Sequence, residues 1–128
     1  MMSKRSCAGL VLVALACSDP TDEEHKGPTG ATCPEGSMLT YESFGQSFMS
    51  RYCTRCHSST LSGSERHGAP SDHNFDTLAG IKATPAEHID EEAAAGPENV
   101  NTSMPPADPR PQDGERRQLG EWLACGTP

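Results

Sequence analysis

Aromatic side chains are scarce in this chain of 128 residues, which holds one Trp, two Tyr and three Phe. Hydrophobic residues of all kinds make up 34%. Burial of such side chains builds only a thin core, and small domains commonly add a disulfide, a metal or a cofactor to one. Basic residues are also few: 10 Lys and Arg face 18 Asp and Glu, for a formal charge of −8. That balance argues against nucleic acid and against electrostatic binding to an anionic membrane. It suits a basic protein partner, and equally a surface charge that does no more than keep the protein soluble. No apolar run is long, and residues 7–16 (CAGLVLVALA) are too few to cross a bilayer as a helix. Strand-like alternation and internal repeats are absent. No nucleophile–base pair or paired carboxylates stand out, so nothing points to substrate turnover. The length allows one domain.

The N-terminus reads as an address. Lys4 and Arg5 precede the apolar run, and from Ser18 the chain is polar. This is the pattern of a secretory signal peptide over residues 1–16. It would remove Cys7 and place the mature chain outside the cytoplasm, where disulfides persist. Val13-Ala14-Leu15-Ala16-Cys17 resembles a bacterial lipobox, with Ala14 where Leu is usual and Leu15 where a smaller residue is usual. The resemblance implies cleavage before Cys17 and lipid attached to it, at about 0.8 kcal/mol per buried methylene. The alternative is a cut near Ala16 that releases a periplasmic protein. Residues 17–32, rich in Pro, Gly, Thr and acids, read as a flexible tether carrying a solvated His25. The domain then occupies residues 33–128.

Within it the expected class is all-α with much loop. Phe44, Phe48, Met49 and Tyr52 are spaced by three and four, which predicts an amphipathic helix over 42–53 with Thr40 or Ser43 as its cap. Residues 58–74 read as loop. Short helices are expected over 75–83 and over 85–95, with Pro85 at the first helical position and Gly96 as a stop. A Pro-rich loop covers 97–111. The last helix, 113–124, has Asp113 as cap, Leu119, Trp122 and Leu123 as its apolar face and Gly126 at its end.

Cys53-Thr54-Arg55-Cys56-His57 carries the chemistry. C-x-x-C-H is the pattern of covalent c-type haem attachment. Two thiols on one turn can bond both vinyl groups of a haem, and the next residue sets its imidazole beneath the iron. Other readings compete. A redox or structural CxxC disulfide of thioredoxin type needs a preceding strand, and none is visible. Structural zinc wants four N or S ligands, usually with a second close pair, whereas Cys33 and Cys125 are isolated. A second axial ligand would come from Met38, Met49, Met104, His25, His67, His73 or His88. Met104 is best placed, because Pro105 and Pro106 stiffen its loop. Met49, one turn before Cys53, reads as core.

These residues resemble class I cytochrome c over roughly residues 39–125. In that family a Gly lies eight residues before the first haem Cys, where Gly45 stands, and an aromatic lies four before it, where Met49 stands beside Phe48. Leu119-Gly120-Glu121-Trp122-Leu123 is similar to the family's last helix, which crosses the first at that Gly. The resemblance implies three to five short helices around one covalent haem c, with N- and C-terminal helices crossing. Cys53 and Cys56 would form the thioethers, His57 the proximal iron ligand and Met104 the distal one. The family's Gly-Pro element, whose Pro carbonyl accepts a hydrogen bond from the proximal imidazole, is similar to Gly68-Ala69-Pro70 with Ala69 inserted, which implies that role for Pro70. Because the terminal helices meet in the family, a Cys33–Cys125 disulfide is expected. The implied function is electron transfer to a redox partner protein with a basic docking surface, without enzymatic turnover, in the periplasm or anchored through Cys17. The alternatives are a haem-based sensor with an open iron position and a haemless, disulfide-stapled lipoprotein.

Overall fold

The first helix begins where Thr40 and Ser43 hold each other's backbone. Thr40 Oγ1 accepts from the Ser43 N–H at 3.1 Å, and Ser43 Oγ accepts from the Thr40 N–H at 2.9 Å. This reciprocal cap supplies partners for donors that a helix start leaves open. In the computed structural model, which describes residues 27–128, the helix opens with a π turn, Tyr41–Gly45, and continues as α-helix over Gln46–Tyr52. Together these segments are α1. Its buried face is Phe44, Phe48, Met49 and Tyr52. Consecutive rings along it pack at 5.3 and 5.1 Å between centroids.

Residues 58–74 contain one 3-10 turn, Gly63–Arg66. Helix α2 is Leu78–Ala83, capped by Thr77, whose Oγ1 accepts from the Gly80 N–H at 3.0 Å. It starts later than the expected 75 because Thr77, in extended conformation, caps its first turn. Helix α3 is Ala86–Ala93, and Pro85 stands just before its first residue rather than within it. Helix α4 is Asp113–Ala124. Its start is held by Glu115, whose carboxylate accepts from the Gln112 N–H at 2.9 Å, and not by Asp113. The described residues contain no strand, only an isolated bridge between Ala95 and Val100. The class is all-α.

α1 and α4 meet at Gly45. A Cβ built there would lie 2.4 Å from the Trp122 ring, so only glycine permits the approach. Trp122 and Leu119 are wholly buried, and Phe44 meets the Trp122 ring edge-on at 6.0 Å. The Tyr52 hydroxyl donates to the Glu115 carboxylate at 2.9 Å, a second tie between the two helices.

Cys33 and Cys125 form a disulfide, with Cα atoms 4.7 Å apart, within the usual reach of such a bond. The signal segment, Cys17 and His25 lie outside the described residues. Residues 27–32, expected as the end of a tether, are instead built into the domain. Thr29 is wholly buried, its N–H and hydroxyl both donate to the Asp90 carboxylate (2.8 and 2.7 Å), and its carbonyl accepts from the Glu98 N–H. Composition alone could not reveal this, because the anchor is polar and its partner lies 61 residues away. No helix among the described residues is long and apolar enough to cross a membrane.

Candidate functional site

The turn after α1 keeps helical geometry. The Cys53 carbonyl accepts from the N–H groups of Cys56 and His57 at 3.1 and 3.0 Å. This places Cys53, Cys56 and His57 side by side on the wall of one cavity of about 510 Å³, in the range of cofactor pockets. Both thiols are free and half-buried. The cavity is walled by Phe48, Tyr52, Phe75, Ile89, Ala93 and Leu119, and Met104 stands on it from a separate loop.

His57 is oriented from behind. Its Nδ1 lies 3.2 Å from the His73 carbonyl. A carbonyl can only accept, so Nδ1 carries the proton and Nε2 keeps its lone pair. The ring also stacks on Phe75 at 4.7 Å. Burial lowers the imidazole's pKa; the His73 carbonyl opposes this, and the His73 ring and Arg66 add to it. The ring is therefore neutral at neutral pH and fit to ligate a metal.

The carbonyl behind His57 belongs to His73 and not to Pro70. Arg66, 5% exposed, explains the difference. Its guanidinium donates to the carbonyls of Ser58, Ala69, Pro70 and His73 and to the Asn74 side chain. The chain wraps around it through left-handed His67 and Gly68, with φ of 50° and 89°. Pro70 is thereby turned toward Arg66, and the carbonyl that reaches His57 comes three residues later. Pro70 still lines the cavity.

Met104 is held through its backbone. Its N–H donates to the Glu92 carbonyl at 2.8 Å, and its carbonyl accepts from Arg116 at 2.9 Å. The same Arg116 nitrogen donates to the carbonyls of Ala93 and Asn101. Arg116 is 2% exposed and has no carboxylate at ion-pair distance among the described residues. The Met104 side chain is 38% exposed, unusual for a large apolar residue. Among the other candidate ligands, Met49 is core and Met38 is on the surface, while His67, His73 and His88 line the cavity. Arg66 and Arg116 do not stand out by residue type, since charged residues are rarely buried without an ion pair. A signal did exist for Arg116, which lies three residues before Leu119 on the apolar face of α4.

The donor set narrows the chemistry. Burial pushes the Cys53 thiol up to about 12, against a smaller opposing pull from Arg116. A thiol held protonated is a poor attacking group for dithiol exchange, which uses the thiolate. No group of three or more His, Cys, Asp or Glu converges among the described residues, and Cys33 and Cys125 are bonded to each other. That leaves too few donors for structural zinc. A flat apolar group with its own equatorial ligands fits better, because it asks the protein for axial donors only. Thr84 is buried beside the cavity, and its Oγ1 has no hydrogen-bond partner among the described residues. A buried hydroxyl without a partner is costly. Comparison of the chain with models of known families, with curated proteins and with solved structures finds no match.

Proposed function

We propose that this chain is an exported monohaem c-type cytochrome that passes electrons to a protein partner. The observation that carries the reading is the convergence, on one apolar cavity, of two free thiols, a carbonyl-oriented imidazole and a thioether from a distant loop. Cys53 and Cys56 would hold haem c. Both thiols would be taken up as thioethers, an attachment that needs no oxidant. The haem, once bound, supplies the one-electron chemistry.

The remaining steps belong to this chain's residues. The His73 carbonyl fixes the ring of His57 and raises its basicity, leaving Nε2 for the iron. Glu92 and Arg116 hold the Met104 backbone so that its sulfur can serve as the sixth ligand. Phe48, Phe75, Ile89 and Leu119 give the cavity an apolar wall. The meeting of α1 and α4 at Gly45 supports a cytochrome c-like arrangement of the terminal helices. The surplus of acid suits a partner with a basic docking face. Export through residues 1–16, with Cys17 as a lipid anchor, belongs to the same proposal, and the Cys33–Cys125 disulfide suits an oxidising compartment.

The test is a haem stain on a denaturing gel, with the protein expressed alongside a cytochrome c maturation system. Haem that survives denaturation, and is lost in the Cys53→Ala/Cys56→Ala variant, is the expected result. A ferric spectrum with the weak long-wavelength band of a sulfur–iron bond, absent in Met104→Ala, would assign the sixth ligand. A stable haem without that band would favour an open-iron sensor. No haem in the unaltered protein would overturn the reading.

A further inference from the structure

We infer that Arg55, the second residue between the two motif cysteines, is a positioning residue that keeps the sixth iron position closed by Met104. This deepens the reading of the preceding subsection and rests on it. The Arg55 guanidinium spans from the Cys53–His57 turn to the loop that carries Met104. Its Nη1 donates to the Asp108 carbonyl at 2.6 Å and its Nη2 to the Ala107 carbonyl. No carboxylate lies at ion-pair distance from it among the described residues. Arg55 is exposed, so nothing in the core forces its side chain to this place.

The loop needs such a tie. Residues 97–111 contain no helix. Met104 itself is pinned by Glu92 and Arg116. After Pro105 and Pro106, the Arg110 bonds stay within the segment, to the Pro106 carbonyl and toward Asp108. Arg55 is what joins the 107–108 stretch back to the turn bearing the proposed haem thioethers. The Met104 loop is thus held at both ends, once from α3 and α4 and once from the motif turn. Released at the second end, residues 105–110 can move off the cavity mouth, and Met104 competes less well with an outside ligand. The planar fork of Arg suits two successive carbonyls, a geometry that the single ammonium of Lys does not reproduce.

The test uses full-length, haem-loaded protein, Arg55→Ala and Arg55→Lys, with imidazole as the outside ligand. The expected result is a weaker sulfur–iron band in ferric Arg55→Ala and imidazole affinity raised about tenfold, the scale of one charge-assisted hydrogen bond. Arg55→Lys should fall between this variant and the unaltered protein, and it carries the test if the alanine variant does not load haem. A merely structural staple would lower the melting temperature and leave band and affinity unchanged, and that outcome overturns the inference. If the unaltered protein lacks haem, or holds it without the band, the reading beneath fails and the role of Arg55 falls with it. Unchanged variants of a protein that shows the band sink Arg55 alone.

Discussion

Removing the Cys33–Cys125 disulfide should unfold this domain at far lower temperature. The bond joins residues 92 positions apart and so closes nearly the whole described chain into a loop. In the chain-entropy model, cutting a loop of that length frees the unfolded state by roughly 16 cal/mol/K, or about 4.6 kcal/mol at 25 °C. For a domain of this size the entropy of unfolding is about 0.2 kcal/mol/K, so the midpoint should fall by about 20 °C. Cys33→Ser/Cys125→Ser is the variant to melt, by circular dichroism and by urea, against the unaltered protein in the same haem state. Dithiothreitol should shift the unaltered protein and leave the variant where it is. A loss under about 1 kcal/mol would refute the reasoning, because it would mean that the unfolded chain is already constrained or that the bond does not form.

Gly45→Ala should cost about 1–3 kcal/mol, since its Cβ would sit 2.4 Å from a ring with no room to retreat, and urea melts would measure it. Asp76 should titrate below the ordinary aspartate value, because the Ser59 hydroxyl and N–H both donate to its carboxylate (2.6 and 3.0 Å). A depressed folded pKa gives stability that is present above the unfolded value and lost as pH falls through the folded one. NMR titration of Ser59→Ala should show Asp76 moving back up. Thr84→Val should be neutral or stabilising, since its buried hydroxyl has no partner among the described residues. Urea melts of the variant against the unaltered protein would check the sign.

Local features were legible in the sequence where the physics is short-ranged. The three-and-four spacing from Phe44 to Tyr52 and from Leu119 to Leu123 marked the two terminal helices, and Thr40 marked a cap. Errors at helix starts were also local. Thr77 and Glu115 exert their capping bonds within three residues, but several residues nearby could have done the same, and sequence does not rank them. The turn of Cys53, Cys56 and His57 is likewise local, since one helical turn brings motif residues together whatever the rest of the chain does.

Sequence alone therefore determined the all-α class, the amphipathic faces of α1 and α4 and the grouping of the motif cysteines with His57, because each depends on contacts within a few residues. Tertiary structure decided that Thr29 packs on Asp90, that Cys33 reaches Cys125, that Met104 shares a cavity with His57, and that the carbonyl behind His57 is the one at 73 and not at 70. It also decided the burial of Arg66 and Arg116, two cations that take backbone carbonyls as partners. These outcomes follow from the path of long loops in space. A guanidinium can satisfy whichever carbonyls the chain brings within about 3 Å, and no residue pattern along the sequence specifies which those are.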